Sequence, residues 1–338
     1  YLNHFGLNQS PFKITPNTEF FYTGGNRGAI LDALLYAIIH GEGIVKVTGE
    51  IGSGKTMLCR MLESMLPDNV EAIYLANPSL NRDEVFHAIA GELGLATEGK
   101  RGGEIMRLMQ HCLIEKHAAS KQVVLLVEEA QAMPLDTLEE IRLLSNLETA
   151  HHKLLQIVLF GQPELDDHLK LPQMRQLKER ITHGFKVPPL DQKDIPEYLI
   201  FRMRAAGYRG PDIFSAGAVK LVTSASQGIT RRINVLADKA LLAAFSENTH
   251  NILPKHVKAA IEDSEFAVPR GGPALQKAGF AAALLVLGIT LGAGWQHLAS
   301  SPPKTRAAAP TVQTAPALAA PPPVQESPAP TAAAEQAP

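Results

Sequence analysis

The feature that most constrains this chain is a glycine-rich octet that joins an apolar strand pattern to a helical pattern. The octet Gly49–Thr56 reads GEIGSGKT and satisfies GxxxxGK[ST] in full. It directly follows the apolar run Ile44–Thr48 and leads into the helical pattern Thr56–Leu66. Glycines let a backbone wrap phosphates with its N–H groups, and the positive N-terminal end of the following helix strengthens the attraction. The octet therefore predicts a phosphate-binding loop within a strand–loop–helix unit.

We expect this loop to bind ATP together with Mg²⁺. In such a loop the amine of Lys55 would reach the β- and γ-phosphates, and the hydroxyl of Thr56 would bind the metal. The predicted nucleotide-binding residues are Gly49, Glu50, Ile51, Gly52, Ser53, Gly54, Lys55, Thr56 and Met57.

Further apolar runs of strand length alternate with helical patterns after the loop. The predicted strands are Ala72–Leu75, Val123–Val127 and Leu155–Phe160, and the predicted helices between them are Arg82–Leu93, Glu104–His117 and Leu135–Glu148. This alternation is typical of buried parallel strands with crossover helices. From Asp191 onward only helical patterns follow, at Ile195–Ala206, Ser215–Ser224, Arg231–Phe245 and Pro254–Asp263. The sequence thus predicts an α/β domain with a parallel sheet, followed by a small helical domain.

Polar side chains follow two of these strands, where parallel strands carry nucleotide sites. Glu128 and Glu129 come directly after Val123–Val127, and Gln162 follows Leu155–Phe160. We expect Glu128 to hold the metal and Glu129 to act as the catalytic base, with the Gln162 amide orienting the attacking water. For Gln162, capping of a turn is the alternative role.

Arginines further along the chain are candidates for neutralising charge on the transferred phosphate. Arg175 and Arg180 lie on one predicted helical segment, and we expect one of them, with Arg180 preferred, to act on the site of a neighbouring subunit. Arg231 lies at the start of a helix in the helical domain, from which it could fold back onto the nucleotide. A basic helix face exposed to solvent, without a functional role, is the alternative interpretation of each pattern.

Taken together, these motifs resemble the AAA+ ATPases, and more narrowly the general secretion pathway protein A family (ExeA/GspA), which includes ATPases of MSHA pilus biogenesis. The narrower resemblance rests on several segments of matching text: YLNHFGLNQSPF at 1–12, VTGE at 47–50, EAQ at 129–131, IRLLSNLE at 141–148 and LFGQPEL at 159–165. It implies that Lys55 and Thr56 are Walker A residues, that Glu128 and Glu129 fall on Walker B, and that Gln162 is sensor 1. In the same way it implies an arginine finger at Arg180 or Arg175 and sensor 2 at Arg231.

Two positions depart from the family pattern. Glu128 stands where the family usually has Asp, which adds a methylene between the backbone and the metal-holding carboxylate. Thr230 stands where Pro is common. A non-hydrolysing scaffold is therefore an open alternative to an active ATPase.

One uncharged apolar run lies outside both predicted domains. It extends from Ala278 to Trp295 and as a helix would span ~27 Å, close to the hydrocarbon thickness of a bilayer. The predicted organisation is an AAA+ α/β nucleotide-binding domain over residues 1–189, a helical lid over 190–267, a hinge over 268–277, a transmembrane helix over 278–298 and a disordered Pro/Ala-rich tail over 299–338. A buried core helix is the alternative for the apolar run.

The expected protein is therefore a membrane-anchored ATPase of the inner membrane, with the ATPase domain in the cytoplasm and the tail outside. The resemblance implies a homo-oligomer, by family habit a hexamer, and service to a secretion or type IV-like pilus assembly system. An exopolysaccharide or exosortase export locus and a DNA-associated, transposition-type regulator are alternatives. Lys+Arg number 32 against 34 Asp+Glu, a net charge of -2, which disfavours nucleic acid as a partner. Only two cysteines occur, without metal-site spacing, which excludes a disulfide scaffold and a standard zinc cluster.

Overall fold

A computed structural model describes residues 1–41 and 43–264 of the chain. These residues contain a five-stranded sheet with the strand order β2-β3-β4-β1-β5, in which all neighbouring strands are parallel. The strands are β1 (Ile44–Gly49), β2 (Val70–Leu75), β3 (Gln122–Val127), β4 (Leu155–Gly161) and β5 (Ile181–Val187). The predicted α/β class with a parallel sheet is confirmed.

Helices cover the sheet and build a second layer beyond it. Those of the α/β part are α1 (Leu2–Phe5), α2 (Arg27–Ile39), α3 (Lys55–Met65), α4 (Arg82–Glu92), α5 (Gly102–Ala118), α6 (Leu135–Leu144), α7 (Glu164–His168) and α8 (Arg175–Arg180). Those that follow are α9 (Asp194–Ala205), α10 (Ala216–Ser226), α11 (Thr230–Ser246) and α12 (Pro254–Glu262). Short 3₁₀ turns occur at Thr18–Phe20, Ala130–Ala132 and Pro172–Met174.

Alternate strand residues point to opposite faces of the sheet, and both faces are buried. On β3, Val123 and Leu125 join a core with α4, α5 and α6, whereas Val124 and Leu126 join a second core with α2 and α3. Two buried faces explain why the strands are apolar runs without alternation. Because neighbouring strands are parallel, the carboxyl ends of β1, β3 and β4 lie at one edge of the sheet.

Strand β5 and helix α2 are among the elements of the α/β part that the sequence does not predict. Strand β5 pairs with β1 at the edge of the sheet, but of its seven residues only Val187 is buried, so it carries no apolar run. Helix α2 is apolar on its buried side and also exposes Tyr36 and Ile39, which removes the amphipathic period. The predicted helix Leu135–Glu148 is also too long, because α6 ends at Leu144 and Glu148 forms a β-bridge with Lys153.

The last four helices form a lid with its own apolar core. Residues of the N-terminal segment contribute to this core, including Phe5, Phe12 and Phe20. The buried guanidinium of Arg202 on α9 fastens that segment, because it donates to the carbonyl oxygens of Pro11 (2.6 Å) and Lys13 (3.2 Å). The N-terminal segment therefore packs with the lid, although it lies far from the lid in sequence.

The predicted hinge 268–277, transmembrane helix 278–298 and tail 299–338 lie outside the described residues and stay predictions. Within residues 1–41 and 43–264, no helix combines the length and apolar character that crossing a bilayer requires.

Candidate functional site: a nucleotide cavity between sheet and lid

The glycine-rich loop turns sharply between β1 and α3. Gly52 and Gly54 have φ of +81° and +103°, a region that favours glycine. At Gly49 a Cβ would lie 2.7 Å from the Ser53 hydroxyl oxygen and 2.9 Å from the Val187 carbonyl oxygen, so only glycine fits. Helix α3 begins at Lys55, immediately after the loop. The loop thus forms a cradle whose free backbone N–H groups suit an anion.

Lys55 is held at the mouth of this cradle. Its ammonium donates to the carbonyl oxygens of Gly49 (2.8 Å) and Glu50 (3.1 Å), and the residue is 7% exposed. Burial lowers the pKa of Lys55, while the nearby carboxylates of Glu129, Glu50 and Glu128 act in the opposite direction. Such a buried cation is suited to a polyanionic ligand, which would restore the charge balance lost to burial.

The two acids after β3 occupy different environments. Glu128 accepts a hydrogen bond from the hydroxyl of Tyr74 on β2 through Oε2, while its Oε1 is buried and has no hydrogen-bond partner within residues 1–41 and 43–264. Glu129 has φ of +51°, and this turn separates its side chain from that of Glu128. A buried carboxylate oxygen without a donor is costly unless a ligand satisfies it. The donor set of Glu128 and the Thr56 hydroxyl therefore fits a hard cation such as Mg²⁺.

Glu129 belongs to a network of amides. Its Oε2 accepts from the side-chain amides of Gln131 (2.7 Å) and Gln162 (2.9 Å), and Gln131 Oε1 accepts from the backbone N–H of Gln162 (2.9 Å). Burial alone would raise the pKa of Glu129, but the two amide donors and Lys55 outweigh it and lower that pKa. The carboxylate is thus held ionised and fixed in orientation. The sequence singles out Gln162 but gives Gln131 no role; the network shows how Gln131 couples the two strand ends.

A cavity of about 390 Å³ lies between the sheet and the lid. Of the predicted site residues, it is lined by Ile51, Gly52, Gly54, Lys55, Thr56, Met57, Glu129, Gln162 and Arg231. The other predicted site residues are not among the lining residues in the described part of the chain: Gly49, Glu50, Ser53, Glu128 and Arg180. The lining missed from the sequence comprises Lys13, Ile14, Pro16, Phe20, Phe21, Tyr22, Arg27, Tyr198, Arg202, Thr230 and Asn234.

Aromatic side chains form one part of this lining. Phe5 and Phe12 of the N-terminal segment are buried in the lid core and are not among the lining residues. Phe20 and Phe21 line the cavity instead, together with Ile14. An apolar wall opposite a phosphate cradle suits the flat base of a nucleotide.

The start of α11 touches the phosphate loop directly. The backbone N–H of Arg231 donates to the Gly52 carbonyl oxygen at 3.0 Å. The buried Arg27 reinforces this contact, because its Nη2 donates to the Ser53 carbonyl oxygen (3.1 Å) and to the Thr230 hydroxyl (3.1 Å). Arg231 therefore lies where a lid residue can meet a bound phosphate.

Arg175 and Arg180 lie on the exposed side of α8. Arg175 forms an ion pair with Glu179 at 2.9 Å, with the two side chains 80% and 64% exposed, and Arg180 is exposed as well. Neither reaches the cavity of its own chain. Their position leaves both available to another molecule.

Comparisons with known proteins identify the family of this chain. Residues 38–169 match the family described as AAA domain. The chain is 40% identical over 261 residues to general secretion pathway protein A of Aeromonas hydrophila, covering 77% of this chain and 48% of that protein. The chain belongs to the AAA+ ATPases of the general secretion pathway protein A type. It spans about half the length of this relative.

Solved structures share the fold at low sequence identity. Cdc6p of Pyrobaculum aerophilum aligns with a TM-score of 0.59 at 17% identity, covering 75% of this chain and 70% of that one. ORC2 of Aeropyrum pernix aligns with a TM-score of 0.55 at 14% identity, covering 76% and 72%. These similarities support the AAA+ α/β fold of the ATPase.

Proposed function

We propose that this ATPase is anchored in the inner membrane by residues 278–298 and uses ATP to support assembly of a cell-envelope secretion or type IV-like pilus system. One observation carries the ATPase part of the proposal: a phosphate cradle, a buried lysine and an amide-fixed carboxylate line one cavity. The general secretion pathway relative and the uncharged run at 278–295 support the envelope setting.

We propose the following roles for the residues of the site. Lys55 leaves its own loop carbonyls to bind the β- and γ-phosphates. Thr56 and Glu128 hold Mg²⁺, which when bound neutralises phosphate charge. Glu129 takes the proton of the attacking water, which the Gln162 amide helps to orient. Arg231 binds the phosphate from the lid side.

We further propose a homo-oligomer in which an arginine on α8, with Arg180 preferred, completes the site of the neighbouring subunit. The support is its exposure and its absence from the cavity of its own chain. An arginine of this kind contributes about 10³–10⁵ in rate in related phosphoryl-transfer sites. A lone protomer would then bind ATP and hydrolyse it slowly.

The enzymatic part is tested with three purified proteins: the wild type, Lys55→Ala and Glu129→Gln. We expect Lys55→Ala to lose binding of a fluorescent ATP analogue. Glu129→Gln should keep that binding and lose about 10²–10⁴ in phosphate release, since it removes only the base. Wild-type protein that binds ATP with Mg²⁺ but never turns it over would select the scaffold alternative, and absence of binding would refute the proposal.

The membrane part is tested by alkaline carbonate extraction of cells that express the full chain. The wild type should stay in the membrane pellet, whereas Leu285→Arg should move into the supernatant, because a central arginine costs ~2.5–3.5 kcal/mol on insertion. Wild-type protein released by carbonate would contradict the anchor. Tight and strongly salt-dependent DNA binding by the same protein would favour the transposition-type alternative.

A further inference from the structure

The contact between Tyr74 and Glu128 joins two neighbouring strands at the edge that carries the site. Strands β2 and β3 are paired in the register Leu75↔Val127, and the backbone N–H of Glu128 donates to the Leu75 carbonyl oxygen at 3.2 Å. Tyr74 packs with the core that contains α3, the helix that starts at Lys55. Its hydroxyl donates to Glu128 Oε2. Tyr74 therefore reaches Glu128 from the side of the phosphate loop.

The two oxygens of Glu128 differ in what they contact. Oε2 is satisfied by the tyrosine hydroxyl, whereas Oε1 is buried without a partner among the described residues. A buried acceptor of this kind is rare in folded proteins, because it has lost its water without gaining a hydrogen-bond donor. One oxygen of Glu128 thus has a hydrogen-bond donor, and the other is available to bind a metal ion or a metal-bound water.

The side chain of Glu128 is long and needs a contact that fixes its carboxylate, and the Tyr74 hydroxyl provides that contact. Glutamate has one more rotatable bond than aspartate, so its carboxylate can take up more positions and loses more entropy when fixed. A hydrogen bond to a charged oxygen offsets that loss. With the tyrosine in place, the longer side chain is held in one orientation.

We propose that Tyr74 is a positioning residue that fixes Glu128 through Oε2 and so presents Oε1 to the magnesium of bound ATP. The inference rests on the proposed ATP binding and deepens it.

The test uses Mn²⁺ as the probe, because free Mn²⁺ gives an electron paramagnetic resonance signal that disappears on binding. Tyr74→Phe removes only the hydroxyl. We expect it to weaken Mn²⁺ binding to the full-length protein with a non-hydrolysable ATP analogue by about tenfold, the low end for a hydrogen bond to a charged group. Analogue binding in EDTA should be unchanged. Tyr36→Phe is the matched control, because Tyr36 is 60% exposed on α2.

A double-mutant cycle separates positioning from a general structural effect. Glu128→Asp shortens the side chain away from the hydroxyl, so adding Tyr74→Phe to it should change Mn²⁺ affinity by less than about twofold. The proposal is overturned if Tyr74→Phe binds Mn²⁺ as tightly as the wild type, or more tightly, which would mean that the hydroxyl holds Glu128 away from the metal. It is also overturned if Tyr74→Phe weakens binding equally in the Glu128→Asp background. Failure of wild-type protein to bind the analogue even in EDTA would instead count against the proposed function.

Discussion

Replacing Arg27 tests whether the phosphate loop and the lid are held together by one side chain. Arg27 begins α2 and is 6% exposed. Its Nη2 donates to the Ser53 carbonyl oxygen (3.1 Å), the Pro188 carbonyl oxygen (3.3 Å) and the Thr230 hydroxyl (3.1 Å), and its Nη1 donates to the Gly25 carbonyl oxygen (3.2 Å). The guanidinium thus ties together the loop, the end of β5 and the start of α11.

The cost of Arg27→Met follows from which acceptors keep a partner. Ser53 still accepts from the Thr230 hydroxyl at 3.4 Å, whereas the carbonyl oxygens of Gly25 and Pro188 lose this donor. Leaving these two carbonyl oxygens without the donor lowers the free energy of unfolding by about 2–6 kcal/mol in total. Removing a buried charge offsets part of this, since burial lowers the pKa of Arg27 and so shows that its charge is costly in the fold. We expect a net loss of about 2–4 kcal/mol of unfolding free energy.

The assay is urea unfolding followed by circular dichroism, combined with titration of a fluorescent ATP analogue. Arg27→Lys should lose about as much stability as Arg27→Met, because an ammonium lacks the planar fork that reaches these oxygens. Arg209→Met, at an exposed position, is the control and should stay within ~0.5 kcal/mol of the wild type. Both Arg27 variants should also bind the analogue more weakly. A loss below about 1 kcal/mol with unchanged affinity would refute the reasoning.

Three further predictions concern the loop, the lid and the exposed arginines. Gly52→Ala should weaken binding of the ATP analogue about tenfold or more, because the residue has φ of +81° and its Cβ would lie 2.6 Å from Arg231 Cβ; titration of folded variant protein checks this. Arg202→Met should lower the unfolding free energy by about 2–5 kcal/mol in urea, since it strips donors from two carbonyl oxygens of the N-terminal segment. Arg180→Ala should keep wild-type stability but lose most phosphate release, whereas Arg175→Ala should keep wild-type phosphate release. Equal rates of phosphate release in the two variants would exclude Arg180 as the arginine finger.

Structural elements that depend only on residues adjacent in the chain can be predicted from the sequence. The glycine-rich loop, the strand before it and the helix after it are local, and strands β1, β3 and β4 lie within a residue of their predicted bounds. Strand β5 is different, because an edge strand buries one side at most and needs no apolar run. Its place beside β1 is fixed by tertiary pairing, which a window of sequence does not contain.

The candidate site divides in the same way. Glu129 and Gln162 can be found because each directly follows an apolar strand, and parallel strands bring such positions to one edge. Phe20 and Arg202 cannot, because their part in the cavity depends on packing between residues about 180 positions apart along the chain. The role of Tyr74 cannot be predicted from the sequence for the same reason, because its contact with Glu128 joins two different strands.

The cavity joins two cores, and this constrains how ATP could do work. Lys55 and Glu129 follow strands of the sheet, whereas Phe20 belongs to the core of the lid and the guanidinium of Arg202 on α9 lies over its ring. A ligand that fills the cavity contacts both, so its binding free energy depends on the distance between them. A ligand shifts such an equilibrium only by its differential affinity for the two arrangements. If ATP binds as proposed, loss of the terminal phosphate would remove contacts to Lys55 and to Arg231 and would leave those of the base with Phe20, so hydrolysis would weaken the arrangement in which sheet and lid both contact the nucleotide.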